Sequence, residues 1–88
     1  MPDPETLTRQ HREVLRVLSD LGGYQLAGAV GLRALPHPGT QKQAAHRILP
    51  ALGHLERHGF VERHEIKKRA IWGLSKAGER AVLGSMGL

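Results

Sequence analysis

Cysteine is absent from this 88-residue chain, so neither a disulfide framework nor a thiolate metal site is available. Aromatic residues are scarce as well. Tyr24, Phe60 and Trp72 are the only ones, and aliphatic side chains must supply most of a core. No run of about 18 apolar residues occurs, and no basic-then-apolar leader opens the chain, so neither a membrane span nor a signal peptide is expected. The glycines are scattered rather than patterned, which leaves no phosphate-cradling loop. No nucleophile stands beside a base and the few carboxylates do not pair, so the expectation is a protein without catalytic residues, cofactor or metal. At this length residues 1–88 are expected to form one domain, with an ordered core over about residues 4–83.

Acidic residues are missing where it matters. None lies between Asp20 and Glu56, a stretch that holds Arg33, Lys42 and Arg47 together with His37, His46 and His54. With a formal charge of +5 and an isoelectric point near 10.5, the chain favours an anionic partner.

Residues 3–21 read as a first helix, with Asp3 as cap and Pro4 at the first helical position, where a missing N–H costs nothing. Leu7, His11, Val14, Leu15, Leu18 and Leu21 recur at three- and four-residue spacing as its apolar stripe, and Gly22-Gly23 ends it. Residues 24–33 read as a short second helix with Leu26, Ala27, Val30 and Leu32 inward. Its small residues allow a close helix–helix approach. Leu35-Pro36-His37-Pro38-Gly39 then breaks the structure.

Thr40 is an N-cap candidate for a third helix, whose buried stripe is read as Ala45, Ile48, Leu49, Leu52 and Leu55. The opposite face carries Gln43, His46, Arg47, Pro50, His54 and Arg57, with Lys42 at its edge. Its amino-terminal half is donor-rich and has no carboxylate, the composition a helix needs to enter a major groove. Pro50 leaves two readings open: a kinked helix from about residue 40, or a separate turn followed by a helix from about residue 46. His58-Gly59 supplies a left-handed cap.

Phe60 to Ile66 alternates as a short strand, packed at its start and exposed at its end. Lys67-Lys68-Arg69 reads as a cationic turn, and residues 70–74 return as the second strand. Ser75 caps a last helix from Lys76 to about Leu83, with Ala77, Ala81 and Val82 inward, and the remaining tail is expected to fray.

Helix, short helix, helix, hairpin, helix is the winged helix-turn-helix order, a mainly α fold with a small β-hairpin (α+β). Ile48-Leu49-Pro50-Ala51-Leu52 and Leu55-Glu56-Arg57-His58-Gly59-Phe60-Val61-Glu62-Arg63 resemble the recognition helix and start of the wing in MarR- and PadR-type regulators. Trp72-Gly73-Leu74-Ser75-Lys76-Ala77-Gly78 is similar to their strand-to-helix signature, and Gly23-Tyr24-Gln25-Leu26 to the segment opening the second helix of PadR-like proteins. Those proteins also tolerate a proline at the place of Pro50. The likeness covers roughly residues 10–83. The Leu35–Gly39 loop is longer than a tight turn, the wing is short, and no counterpart of the long terminal dimerisation helices is seen.

The resemblance implies sequence-specific binding of double-stranded DNA and transcriptional control, in a cytoplasmic, nucleoid-associated setting. The expected contacts are Thr40, Gln41, Lys42, Gln43, His46 and Arg47 from the third helix, and Lys67, Lys68 and Arg69 from the wing. A homodimer is the default expectation, because palindromic operators mirror two-fold symmetry, with the first helix as its surface. The alternative is a winged-helix adaptor that binds protein rather than DNA. A metal held by His54 and His58, four apart on a helix, with His46 behind them, is a third and weaker idea.

Overall fold

The computed structural model describes residues 7–85. Its elements run α1 (Arg9–Leu21), β1 (Gln25–Leu26), α2 (Ala27–Ala34), α3 (Gln41–Arg57), β2 (Val61–Ile66), β3 (Arg69–Leu74) and α4 (Lys76–Ser85). The three strands form one antiparallel sheet in the order β1-β3-β2. This is a small α+β, broadly winged-helix-like arrangement.

The first helix starts later than its Asp3-Pro4 signal suggests. Those two residues lie outside the described segment, and the cap is Thr8. Its hydroxyl accepts the His11 N–H, while the His11 Nδ1 accepts the Thr8 N–H, each at 3.2 Å. A reciprocal capping box satisfies two of the free amide donors at the helix start, and the first turn of α1 sets there. Leu7, Val14, Leu15 and Leu18 are buried as the spacing requires, and Val17 joins them. The open face keeps only polar residues: Arg9, Gln10, Arg12, Arg16, Ser19 and Asp20. The apolar stripe of α1 is therefore used by the fold's own core.

Gln25 and Leu26, read from sequence as helix, pair instead with Trp72 and Ile71 as a short third strand. The second helix begins only at Ala27, and Leu32 points outward, 40 % exposed. Its small residues do what their size allows. A Cβ added at Gly31 would lie 2.5 Å from the Ala44 carbonyl oxygen, so α2 and α3 meet backbone to backbone.

That contact sets the rotation of α3. Its buried residues are Ala44, Ile48, Ala51, Leu52 and Leu55, whereas Ala45 is half-buried and Leu49 is 41 % exposed. The stripe is thus turned relative to the expected one, because Gly31 accepts only a small side chain opposite it. The helix is unbroken through Pro50, which is exposed, and starts at Gln41 rather than near residue 46. It ends as its sequence predicts. Gly59 takes φ +81, and the Gly59 and Phe60 N–H groups donate to the carbonyls of Glu56 and Leu55.

In the hairpin, Val61 pairs with Leu74 and Ile66 with Arg69. Only Lys67 and Lys68 form the turn, and Arg69 belongs to β3. Phe60 and Val61 are buried and residues 62–66 are exposed, the packed start and open end the sequence suggests. Ser75 fastens the last helix. Its Oγ accepts the Gly78 N–H at 3.1 Å and donates to the Gly59 carbonyl at 2.6 Å. That helix continues through Gly84 to Ser85, beyond the expected end at Leu83, with Ala81 and Val82 buried.

Candidate nucleic-acid interface

Two elements carry the candidate contacts, the amino-terminal half of α3 and the tip of the β2–β3 hairpin. Thr40 caps α3 through a second capping box. Its hydroxyl accepts the Gln43 N–H at 3.1 Å, and the Gln43 Oε1 accepts the Thr40 N–H at 2.9 Å. Bidentate pairing with adenine needs that same amide oxygen as an acceptor. In this conformation Gln43 is a cap first. Arg47 is also engaged, its guanidinium donating to the His37 carbonyl in the loop before α3. Lys42 and His46 remain on the open face, four residues apart, with no carboxylate beside them in this half of the helix.

Gln41 turns the other way, and its side chain lies over Gly28, where an added Cβ would come within 2.5 Å of the Gln41 Cγ. From there an open groove runs between α3 and the hairpin, lined by Gln41, Lys42, Ala45 and Leu49 of α3, by Arg69, Ala70 and Trp72 of β3, and by Leu26, Ala27 and Gly28 at the β1–α2 junction. The structure thus brings Gln41, Lys42 and Arg69 to one groove. Thr40, Gln43, His46 and Arg47 flank it on α3, and Lys67 and Lys68 stand at the exposed tip.

The outer face of the hairpin is held by Tyr24. A Cβ at Gly73 would collide with the Tyr24 ring, so the ring lies against β3 at Gly73. Its hydroxyl donates to Glu62 at 3.0 Å, and His64 meets the ring edge-on at 4.8 Å. The hydrogen bond to Glu62 raises the phenol above its ordinary value, with burial adding to the effect. Glu62 is thereby turned to Tyr24, and Glu56 reaches Arg63 at 3.7 Å. In the sequence Tyr24 stands out only as a scarce aromatic within the Gly23-Tyr24-Gln25-Leu26 motif. Its reach across to β2 depends on the β1–β3 pairing, for which nothing local in the sequence gives a signal.

The imidazole next to His54 and His58 is His11, not His46. The His11 and His54 rings stack at 4.2 Å with 4° between their planes, and His58 tilts against His54 at 4.3 Å. Burial lowers the His11 pKa most, followed by the nearby His54 and His58. His54 is lowered by burial, then by His58 and Arg57. Stacked rings aim their nitrogens side by side rather than at a common point. Among the described residues no group of three His, Cys, Asp or Glu side chains is arranged to hold a metal ion. No helix of the described residues is long and apolar enough to cross a membrane.

No protein-family model, curated protein or solved structure matches this chain. The likeness to MarR- and PadR-type regulators rests on the residues and their order, and the fold supports the broader winged-helix-like arrangement.

Proposed function

We propose that this chain binds double-stranded DNA sequence-specifically as a transcriptional regulator, with α3 in the major groove and the β2–β3 wing against the backbone or minor groove. One observation carries the reading. Lys42 of α3 and Arg69 of the wing line a single open groove, beside a helix face whose amino-terminal half is exposed and free of carboxylates. Lysine and arginine there neutralise phosphate, and the helix between them is accessible to base edges. Two of the nearby carboxylates are engaged, Glu62 by Tyr24 and Glu56 by Arg63. Two copies on a palindromic site are the expected stoichiometry.

The deciding experiment is a salt titration of duplex binding. Binding should weaken steeply with salt, because each neutralised phosphate releases counterions. Replacing Lys67, Lys68 and Arg69 together by alanine should weaken all sequences alike and flatten the slope by about three. Arg47→Ala should alter affinity or site preference. Duplex binding that is weak and insensitive to salt would overturn the reading.

A further inference from the structure

The rotation of α3 brings an aliphatic side chain that the sequence pattern reads as buried to the open face. With Ala44 and Ala51 inward, the outer face presents Lys42, His46, Leu49 and Gly53 in line, at steps of four, three and four residues, with Ala45 half-buried beside Leu49. A single exposed leucine on a helix needs no explanation. This one stands beside Lys42 and His46, while the amide oxygen of Gln43 and the guanidinium of Arg47 are held by Thr40 and the His37 carbonyl.

We propose, on the duplex-binding reading above, that Leu49 and Ala45 are specificity residues and recognise the 5-methyl groups of thymine in the major groove. The thymine methyl is the apolar feature of that groove, and small or aliphatic side chains are what contact it. Charge selects this occupant over a second copy of the chain. Lys42 and His46 border the patch and Arg69 lines the groove beside it, with no carboxylate between Asp20 and Glu56. Self-association through this face would set Lys42 and Arg69 against the same cations of the second copy, whereas a duplex sets both against phosphate. The helix thus reads by shape and methyl contact in its centre and by Lys42 and His46 at its edge.

The test begins with a preferred duplex selected by the whole chain from random sequence. Each thymine is then replaced singly by deoxyuridine, which removes only the methyl group. Removing a contacted methyl should weaken binding about fourfold and leave the salt slope unchanged. Leu49→Ala, an exposed substitution that the fold tolerates, should erase the thymine-over-uracil preference at one position and keep the slope. A selected site without thymine, equal binding of all uracil-substituted duplexes, or an undiminished methyl preference in Leu49→Ala each overturns the methyl assignment and leaves salt-dependent duplex binding standing. Absence of salt-dependent binding to any duplex overturns both.

Discussion

Gly31 faces Ala44 with so little space that a Cβ on Gly31 would lie 2.5 Å from the Ala44 carbonyl oxygen and 2.8 Å from its carbonyl carbon. Both obstructing atoms belong to the backbone of α3, so neither can turn aside. Glycine inside a helix ordinarily costs about 1 kcal/mol against alanine, and removing it should help. Here the clash decides the sign. Gly31→Ala should destabilise by roughly 1–3 kcal/mol through forced separation of α2 and α3, lowering the melting temperature by about 4–8 °C per kcal/mol. Thermal melts followed by Trp72 fluorescence check this, and an unchanged or raised midpoint would show that the helices can part freely.

Gly53 is the opposite case. It lies inside α3, and an added Cβ would meet nothing within 4 Å. Gly53→Ala should therefore stabilise by about 0.5–1 kcal/mol, from propensity and from a less flexible unfolded chain. Comparing the two variants in one melt series separates local propensity from packing. Equal shifts for both would deny the close α2–α3 approach.

Gly31 also explains where the sequence could be read and where it misled. Leucine carries more apolar area than alanine, so periodicity alone turns α3 to bury Leu49. The choice between that face and the one with Ala44 and Ala51 is made by α2, which offers Gly31 and Val30 and has no room for a leucine at Ala44. The strand β1 was hidden for a related reason, since two residues paired only with distant Trp72 and Ile71 leave no local period. The start of α1 was displaced because a histidine closes its capping box in place of the usual glutamate or glutamine. Local signals did fix what local chemistry governs: the Thr40 cap, the Gly59 stop, the hairpin and the Ser75 cap. For the candidate site, residue type was legible, but the engagement of Gln43 and Arg47 and the exposure of Leu49 required the tertiary structure.

The stacked histidines tie stability to pH. His11 and His54 have pKa values lowered from the ordinary 6.5, so the folded state binds fewer protons than the unfolded chain in this window. Stability is then fully present above about pH 6.5 and is lost as pH falls through the lowered values of the folded state. Protonation also removes the His11 Nδ1 acceptor from the Thr8 capping box, and it sets charged His54 against His58 and Arg57. Melting temperature measured from pH 7.5 to 5 should fall on the acid side. His11→Gln with His54→Gln should flatten that fall, and an undiminished fall in the double variant would assign it to other groups.

The wing tip stores strain at two of the residues proposed to meet phosphate. Lys67 and Lys68 have φ of +51 and +65, the left-handed pair that a two-residue hairpin turn requires and that Asn-Gly supplies at little cost. A side chain with a Cβ loses roughly 1–2 kcal/mol per residue there. Strain kept at an exposed, cationic tip is the pattern expected where the charge matters more than stability. Lys67→Asn with Lys68→Gly should therefore raise stability by about 1–2 kcal/mol, while reducing duplex affinity at low salt and lowering the salt slope by about two. Melting and binding are measured on the same sample. A stabilised variant with unaltered affinity and slope would remove the tip from the interface, and a destabilised one would show that the lysines hold the turn better than its preferred residues.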